Sequence, residues 1–537
     1  MAERADTGAP SVIGIAGAGT MGAGIAQLAC LAGARTMVHD PDPEALERGL
    51  GRISHQLERG ATRGRWTPEQ AEQARELLEP AAALGDLAPC ELVIEAAPER
   101  LDIKRSLFER LGAVVSGDCV LATNTSSMLV TALADAAPDP SRVVGMHFFN
   151  PPPVMRLLEV VAGSESSPRA IAVARAAGEA MGKHVIEAVD GPGFIVNRCN
   201  RPFGLEALRL LQERVATIDE IDRACRLGGG FRMGPFELMD LVGVDVGLDV
   251  SRSFYEQSFG EPRWRPSPIT VKTVAAGRLG RKSGRGYYEY PASGEYRPPD
   301  LEPPPVGGGD GLVVIAGETP LAAQLRDAAG QAGWTIADPI DATELATPSL
   351  ILDLTGIEEA EAPLQGAPQA ICVAAGSLAA LDPGGSAVGF HALPPLHSTR
   401  LVELTRGPDT ADSAAEAAEH FFATLGKHTM WVDDAPGLVL GRIVCQVANE
   451  AAFALGEGLA SAQDIDAGMI HGLSYPRGIL AWADEIGLDH VLSVLDALAL
   501  ERGEDRYRAA PRLRRLGWSG RLGRQTGAGF FEYDDAS

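Results

Sequence analysis

The residues best suited to chemistry are His147 and Glu159, at the two ends of the segment His-Phe-Phe-Asn-Pro-Pro-Pro-Val-Met-Arg-Leu-Leu-Glu. A carboxylate beside an imidazole selects one ring tautomer and stabilises the imidazolium that forms when the ring takes a proton, so such a pair can serve as a general base. Taken alone, the pattern equally fits a buried strand histidine with an incidental glutamate. The elements around the pair separate the two readings.

Val12-Ile-Gly-Ile-Ala16 reads as a short buried strand running into Gly17-Ala-Gly-Thr-Met-Gly22, and a helical pattern follows from Ala23. In that context G-x-G-x-x-G has a mechanism. The first glycine permits the turn, the second lets backbone approach a pyrophosphate, the third lets helix and strand pack, and the helix N-terminus offers N–H groups to phosphate. A second strand, Arg35 to His39, ends in Asp40, an acid placed to accept from a ribose diol and to disfavour a 2′-phosphate, so NAD is expected rather than NADP. The segment 43–78 reads as helical, and its Arg59, Arg63 and Arg65 read as a solvated face. Strands at 92–96 and 120–123 follow, the second ending in Asn124-Thr-Ser-Ser127, and the strand 142–146 delivers His147 to the same edge. After Gly191-Pro-Gly193 the pattern is wholly helical to about 255.

The 537 residues exceed what one core supports, and three to five domains are expected. A net charge of −25 argues against nucleic acid or an anionic membrane as partner. Seven scattered cysteines (30, 90, 119, 199, 225, 372, 445) without a C-x-x-C pair suggest neither a disulfide framework nor a zinc site, and no metal is expected. The N-terminus lacks the apolar core of a signal peptide, and no long uncharged apolar run occurs, so a cytoplasmic protein is expected.

The segments GAGTMGAGIA, VIEA, NTSS, HFFNP, GKHVIEAVDGPGFIVNR and GPFELMDLVGVD together resemble the L-3-hydroxyacyl-CoA dehydrogenases over roughly residues 10–290. The resemblance implies an α/β Rossmann-type NAD-binding domain followed by an all-α domain, acting on an acyl-CoA substrate. It implies His147 as the base that takes the hydroxyl proton while hydride leaves C3, with Glu159 orienting it. It places Ser126 and Asn197 on the reacting oxygen and the nearby thioester or nicotinamide. Gly17, Ala18, Gly19, Thr20, Met21, Gly22, Asp40, Glu99, Lys104, Ser126 and Lys282 match the family's NAD contacts.

Beyond a Pro/Gly-rich stretch at 291–311 the chain repeats itself at an offset of 244. His147 recurs as His391, Glu159 as Glu403 and Gly243 as Gly487, and GRLGRKSGRGYYEY (277–290) returns as GRLGRQTGAGFFEY (520–533). The copy is worn where chemistry needs it: only Gly317 survives of the glycine motif, Asn197 becomes Gly441 and Lys282 becomes Gln525. The expected organisation is therefore an NAD-binding domain (10–190), a helical substrate and dimerisation domain (191–290), a linker (291–311), a degenerate Rossmann-like domain (312–434) and a second helical domain (435–533). His391 and Glu403 read as relics. Family members pair through their helical domains, so the second one is expected to act as an internal partner, with a homodimer as a further arrangement.

This tandem layout resembles the long form of the family that oxidises 3-hydroxyadipyl-CoA in phenylacetate catabolism, and Arg201 could then pair with a distal carboxylate or stand as a plain surface arginine. Oxidation of 3-hydroxybutyryl-CoA is the competing reading. A non-catalytic, crystallin-like NAD-binding protein is the reading from another class.

Overall fold

Alternation of short β-branched runs with amphipathic helices dictates a doubly wound sheet, and the chain builds two. The computed structural model describes residues 8–337, 347–356 and 367–534. Contacts divide the chain into two units, one of Met1–Arg198 with Glu457–Leu473, the other of Cys199–Gly456 with Ser474–Ser537.

The first unit holds an eight-stranded sheet: β1 (Val12–Ala16), β2 (Arg35–His39), β3 (Leu78–Pro80), β4 (Leu92–Glu95), β5 (Val120–Thr123), β6 (Val143–Phe148), β7 (Leu157–Ala162) and β8 (His184–Val189). Their order is β3-β2-β1-β4-β5-β6-β7-β8, and every pairing is parallel except β6 with β7. β1, β4, β5 and β6 therefore end on one edge, where doubly wound sheets bind ligands. The middle strands are buried on both faces, which explains their near-continuous apolar runs. The antiparallel return of β7 sets His147 directly opposite Glu159.

Among the described residues the second unit repeats the plan with seven strands: β9 (Leu312–Ala316), β10 (Thr335–Ala337), β11 (Leu350–Asp353), β12 (Gln369–Cys372), β13 (Val388–His391), β14 (Leu401–Arg406) and β15 (His428–Trp431). The order is β10-β9-β11-β12-β13-β14-β15, with β13 and β14 antiparallel and His391 opposite Glu403. Parts of the expected 312–434 domain, residues 338–346 and 357–366, lie outside the described residues.

Both helical segments contribute to this second unit, where the helix Arg201–Glu213 packs along Leu440–Gly456. The Pro/Gly-rich stretch 291–311 is fastened to the same unit: Tyr296 and Arg297 donate to Glu237, Arg226 pairs with Asp300, and Gly307 N–H donates to the Thr424 carbonyl. The helix Ala462–Leu473 belongs instead to the first unit, lying on β7 and β8. At the corresponding place the segment 218–228, ending in a π-turn at Ala224–Gly228, lies on β14. Each sheet is thus covered by a helix from the other repeat. No described helix is long and apolar enough to cross a membrane.

Candidate active site

The glycine turn is built as its spacing requires. A Cβ on Gly17 would come within 2.5 Å of the Ala96 carbonyl oxygen, and one on Gly22 within 1.8 Å of the Gly17 carbonyl oxygen. Packing therefore demands both glycines. A Cβ on Gly19 would meet nothing within 4 Å, and no side chain caps the following helix, Thr20–Leu31. Its N-terminus is left open as a cradle for an anion. Asp40, one residue past β2, accepts from Ala18 N–H at 2.9 Å and Asp42 N–H at 3.0 Å, which holds the carboxylate beside the turn. Ala18 is buried, whereas Thr20 and Met21 lie toward the surface of the turn. These residues fit a dinucleotide whose pyrophosphate lies on the helix end.

At the ends of β4 and β5, Glu99 gathers four donors. Its carboxylate accepts from Thr125 Oγ1 (2.5 Å), Ser127 Oγ (2.9 Å), and the N–H groups of Ser126 (3.1 Å) and Ser127 (3.2 Å). Burial works against its charge, but the Lys104 ammonium at 3.2 Å and these hydroxyls outweigh it and hold the carboxyl below its ordinary range. Lys104 itself is 1% exposed and also meets Glu95 at 2.7 Å, while Glu95 accepts from Thr123 Oγ1. Its charge therefore acts from beneath the surface, through Glu99. Glu95 and Thr123 carried no sequence signal beyond their place at strand ends.

His147 is 5% exposed and Glu159 fully buried. The ring Nδ1 donates to Glu159 Oε2 at 2.5 Å, and this partner assigns the tautomer. Glu159 Oε1 accepts from Ile195 and Val196 N–H, each at 3.0 Å. Phe149 and Phe194 flank the imidazole, with ring centroids 4.6 and 5.7 Å away. Asn124 Oδ1 accepts from Phe148 N–H at 2.8 Å and fixes the end of β6. Asn197 follows directly on the turn that holds Glu159, and Ser126 lies at the end of β5; both are half-buried. A fixed imidazole tautomer backed by a buried carboxylate at a sheet edge is equipped to accept a proton. Lys282 belongs to the second unit, where its Nζ lies 2.6 Å from Asp245. Sequence reasoning also missed Asp190, which caps 130–131 by accepting from Val130 and Thr131 N–H, and the Ile195 and Val196 amides.

The second repeat has the same two residues in the same register and a different arrangement. Both oxygens of Glu403 accept from the turn, at 2.9 Å from Val439 N–H and 3.0 Å from Leu440 N–H. His391 turns away: its Nε2 lies 3.1 Å from His490 Nε2, and a Cβ on Gly441 would come within 2.1 Å of its ring. The ring thus fills the space that Gly441 vacates where the first repeat carries Asn197. The glycine turn is also closed. Thr319 Oγ1 accepts from Ala322 N–H, Pro320 brings no N–H, and Arg326 donates to the Gly317 carbonyl at 2.7 Å.

This arrangement has a pH signature. Burial lowers His490 from 6.5 to about 4 against the opposing pull of Asp489, and burial next to His490 also holds His391 well below its ordinary value. Burial favours the neutral form of both rings, so their contribution is complete above pH 6.5 and declines as the pH falls, that of His490 being lost by about pH 4. Burial raises Glu403 from 4.5 to about 7 despite its two N–H donors, so its contribution is present below 4.5 and lost as the pH rises through 7. His490→Val should remove roughly 3 kcal/mol of the acid-side loss, and Glu403→Gln should flatten the change between 4.5 and 7. Melting curves across this range check both; a His490→Val curve parallel to wild type would contradict a neutral buried ring.

Comparison with known proteins points to one family over most of the chain. The family model for the 3-hydroxyacyl-CoA dehydrogenase NAD-binding domain matches residues 12–191, and that for the family's C-terminal domain matches 193–290 and again 437–533. The 3-hydroxyadipyl-CoA dehydrogenase of Escherichia coli (strain K12) is 35% identical over 94% of this chain and 96% of its own. A probable 3-hydroxybutyryl-CoA dehydrogenase of Deinococcus radiodurans is 40% identical over 52% of this chain and 99% of its own. Among solved structures, a 3-hydroxybutyryl-CoA dehydrogenase from Escherichia coli K12 matches with a TM-score of 0.77 at 34% identity, covering 95% of this chain and 99% of that one.

Proposed function

Because the chain belongs to the 3-hydroxyacyl-CoA dehydrogenase family, we propose that it oxidises the (S)-3-hydroxyl of an acyl-CoA with His147 and Glu159 as the base, and that 3-hydroxyadipyl-CoA, as in phenylacetate catabolism, is its substrate. The observation that carries the base is the 2.5 Å contact of His147 Nδ1 with a fully buried Glu159. With Nδ1 committed, Nε2 takes the hydroxyl proton and Glu159 stabilises the resulting imidazolium. NAD, when bound, accepts the hydride from C3. Gly17, Ala18, Gly19, Thr20, Met21 and Gly22 cradle its pyrophosphate, Asp40 accepts from its ribose, and Glu99, backed by Lys104, lines the cofactor edge with Ser126. Ser126 and Asn197 hold the reacting oxygen.

The dicarboxylic substrate is supported by the name of the full-length Escherichia coli relative and by Arg201. That guanidinium is half-buried, lies 5.3 Å over the Phe254 ring, and is lowered to about 10 by burial. A carboxylate brought beside it gains a charge-assisted hydrogen bond. Arg201→Ala should raise KM for (S)-3-hydroxyadipyl-CoA about tenfold to a hundredfold and leave that for (S)-3-hydroxybutyryl-CoA nearly unchanged. A 3-hydroxybutyryl-CoA dehydrogenase is the second reading, favoured by the name of the full-length structural match. NADH formation with the two substrates, compared as kcat/KM, decides between them.

The second repeat serves as the internal partner that other members of such a family would find in another subunit. Three interactions recurring at the offset of 244 support this. Arg198 pairs with Glu457 at 2.7 Å, and Arg442 with Glu213 at 2.7 Å. Val189 N–H donates to the Leu459 carbonyl, and Asp433 N–H to the Val215 carbonyl, each at 2.8 Å. Gly472 packs on Leu157 and Val196, and Gly228 on Leu440 and Leu401.

A further inference from the structure

The turn that supplies both N–H groups to Glu159 is not held by its own backbone preference. Gly193 has φ 72° and Phe194 φ 52°, and a bulky residue persists in the left-handed region only where its surroundings impose it. One side of this turn packs on His147 and Glu159, and the other side is packed by the second repeat. Gly468 and Gly472 lie on one face of the buried side of the helix Ala462–Leu473. A Cβ on Gly468 would meet Ile186, Ile195 and Val196 at 3.1 to 3.3 Å, and one on Gly472 would meet Leu157 at 2.8 Å and Val196 at 3.2 Å. The helix thus presses its bare backbone against the two residues whose amides hold the carboxylate. The preceding residues grip both flanks of the turn: Leu459 accepts from Val189 N–H, and Glu457 pairs with the buried Arg198, next to Asn197.

We propose that Gly468, Gly472 and Glu457 are positioning residues for the His147–Glu159 base, so that the decayed repeat is kept because it clamps the active turn of the intact one. This rests on the reading of His147 and Glu159 as the base. The molecule contains its own control. Gly228, Val215 and Glu213 grip the second turn in the same way, with Gly228 against Leu440 at 3.0 Å, and that turn holds Glu403, which no longer touches its histidine. Ala224 stands where the first clamp has Gly468, but Gly228, Val215 and Glu213 match Gly472, Leu459 and Glu457, so related clamps act on a coupled pair and on an uncoupled one.

Gly472→Ala and Gly228→Ala, each in the full chain, compare the two. The methyl on Gly472 meets Leu157 at 2.8 Å and that on Gly228 meets Leu440 at 3.0 Å, so both variants should lose thermal stability, Gly472→Ala somewhat more. Gly472→Ala should lower kcat about tenfold to a hundredfold, with KM for acyl-CoA and for NAD within about twofold, because a displaced base weakens the chemical step and not binding. Gly228→Ala should keep kcat within about twofold. Equal kcat losses in the two variants, or wild-type kcat in Gly472→Ala, would overturn the clamp. Should Gly472→Ala fail to yield folded protein, Glu457→Gln, which keeps the shape and loosens the grip on Arg198, must show the same fall in kcat at unchanged KM, and wild-type kcat there overturns the proposal too. His147→Ala separates the two levels: full activity in that variant removes the base itself, whereas loss there with normal kcat in Gly472→Ala removes only the clamp.

Discussion

His147→Ala is expected to lower kcat for a 3-hydroxyacyl-CoA by about 10²–10⁴-fold, the range over which a positioned general base acts. NAD affinity, measured by calorimetry, should hardly change, because the glycine turn and Asp40 are built from β1, β2 and the helix between them. Glu159→Gln is the sharper variant. A glutamine oxygen can still accept from Ile195 and Val196 N–H, but its amide then presents N–H to Nδ1 of the histidine. The ring answers by moving its own proton to Nε2, the nitrogen that receives the substrate's under the proposed mechanism. Structure is kept while the tautomer is inverted, so kcat should fall nearly as far as in His147→Ala. His391→Ala is the counterpart in the second repeat and should leave kcat untouched, since its Nε2 faces His490 and its Glu403 is bound elsewhere. A loss in His391→Ala as deep as that in His147→Ala would make the second repeat catalytic and would refute the assignment.

The parts of this site that sequence displays are those that local rules impose. A glycine turn between strand and helix needs its three glycines at fixed spacing, and Asp40 follows from the length of one helix and one strand. The pairing of His147 with Glu159 depends on an antiparallel return that the apolar runs on either side are compatible with but do not demand. Lys104 shows the limit more plainly. Its motif match suggested contact with a cofactor, yet it lies beneath the surface between Glu95 and Glu99, and only the strand order reveals that the two carboxylates meet there on one cation. The repeat was legible as an offset of 244, and the wear of its glycine turn as missing residues. Which sheet each helix would cover was not, because a duplicated pattern fits either sheet equally well. The exchange is a tertiary choice, recorded in pairs such as Arg198–Glu457 that are remote in sequence.

Arg442→Met is expected to cost about 3–5 kcal/mol of stability, the range found when one partner of a buried ion pair is removed. Arg442 is 0% exposed on the helix Leu440–Gly456 and meets three groups at once. Its Nε donates to Glu206 Oε1 at 2.5 Å, its two terminal nitrogens to Glu213 at 2.7 and 3.0 Å, and one of them also to Tyr507 Oη at 2.8 Å. Glu206 is 4% exposed, and without the guanidinium its remaining donor is Tyr507 Oη at 2.9 Å. The cost should therefore come from a stranded carboxylate rather than from a lost attraction. Glu213 keeps Arg502 at 3.2 Å and is partly open to solvent, so it contributes less. The double variant Arg442→Met with Glu206→Leu tests this division: removing both charges should restore most of the loss, because a buried pair and an apolar replacement are often nearly equal in stability. Urea unfolding followed by tryptophan fluorescence, to which Trp482 buried beside the same helix contributes, reads both variants. If the double variant were as unstable as Arg442→Met alone, the fastening of the two helical segments would rest on the shape of the arginine and its stacking on Tyr507, and not on the burial of charge.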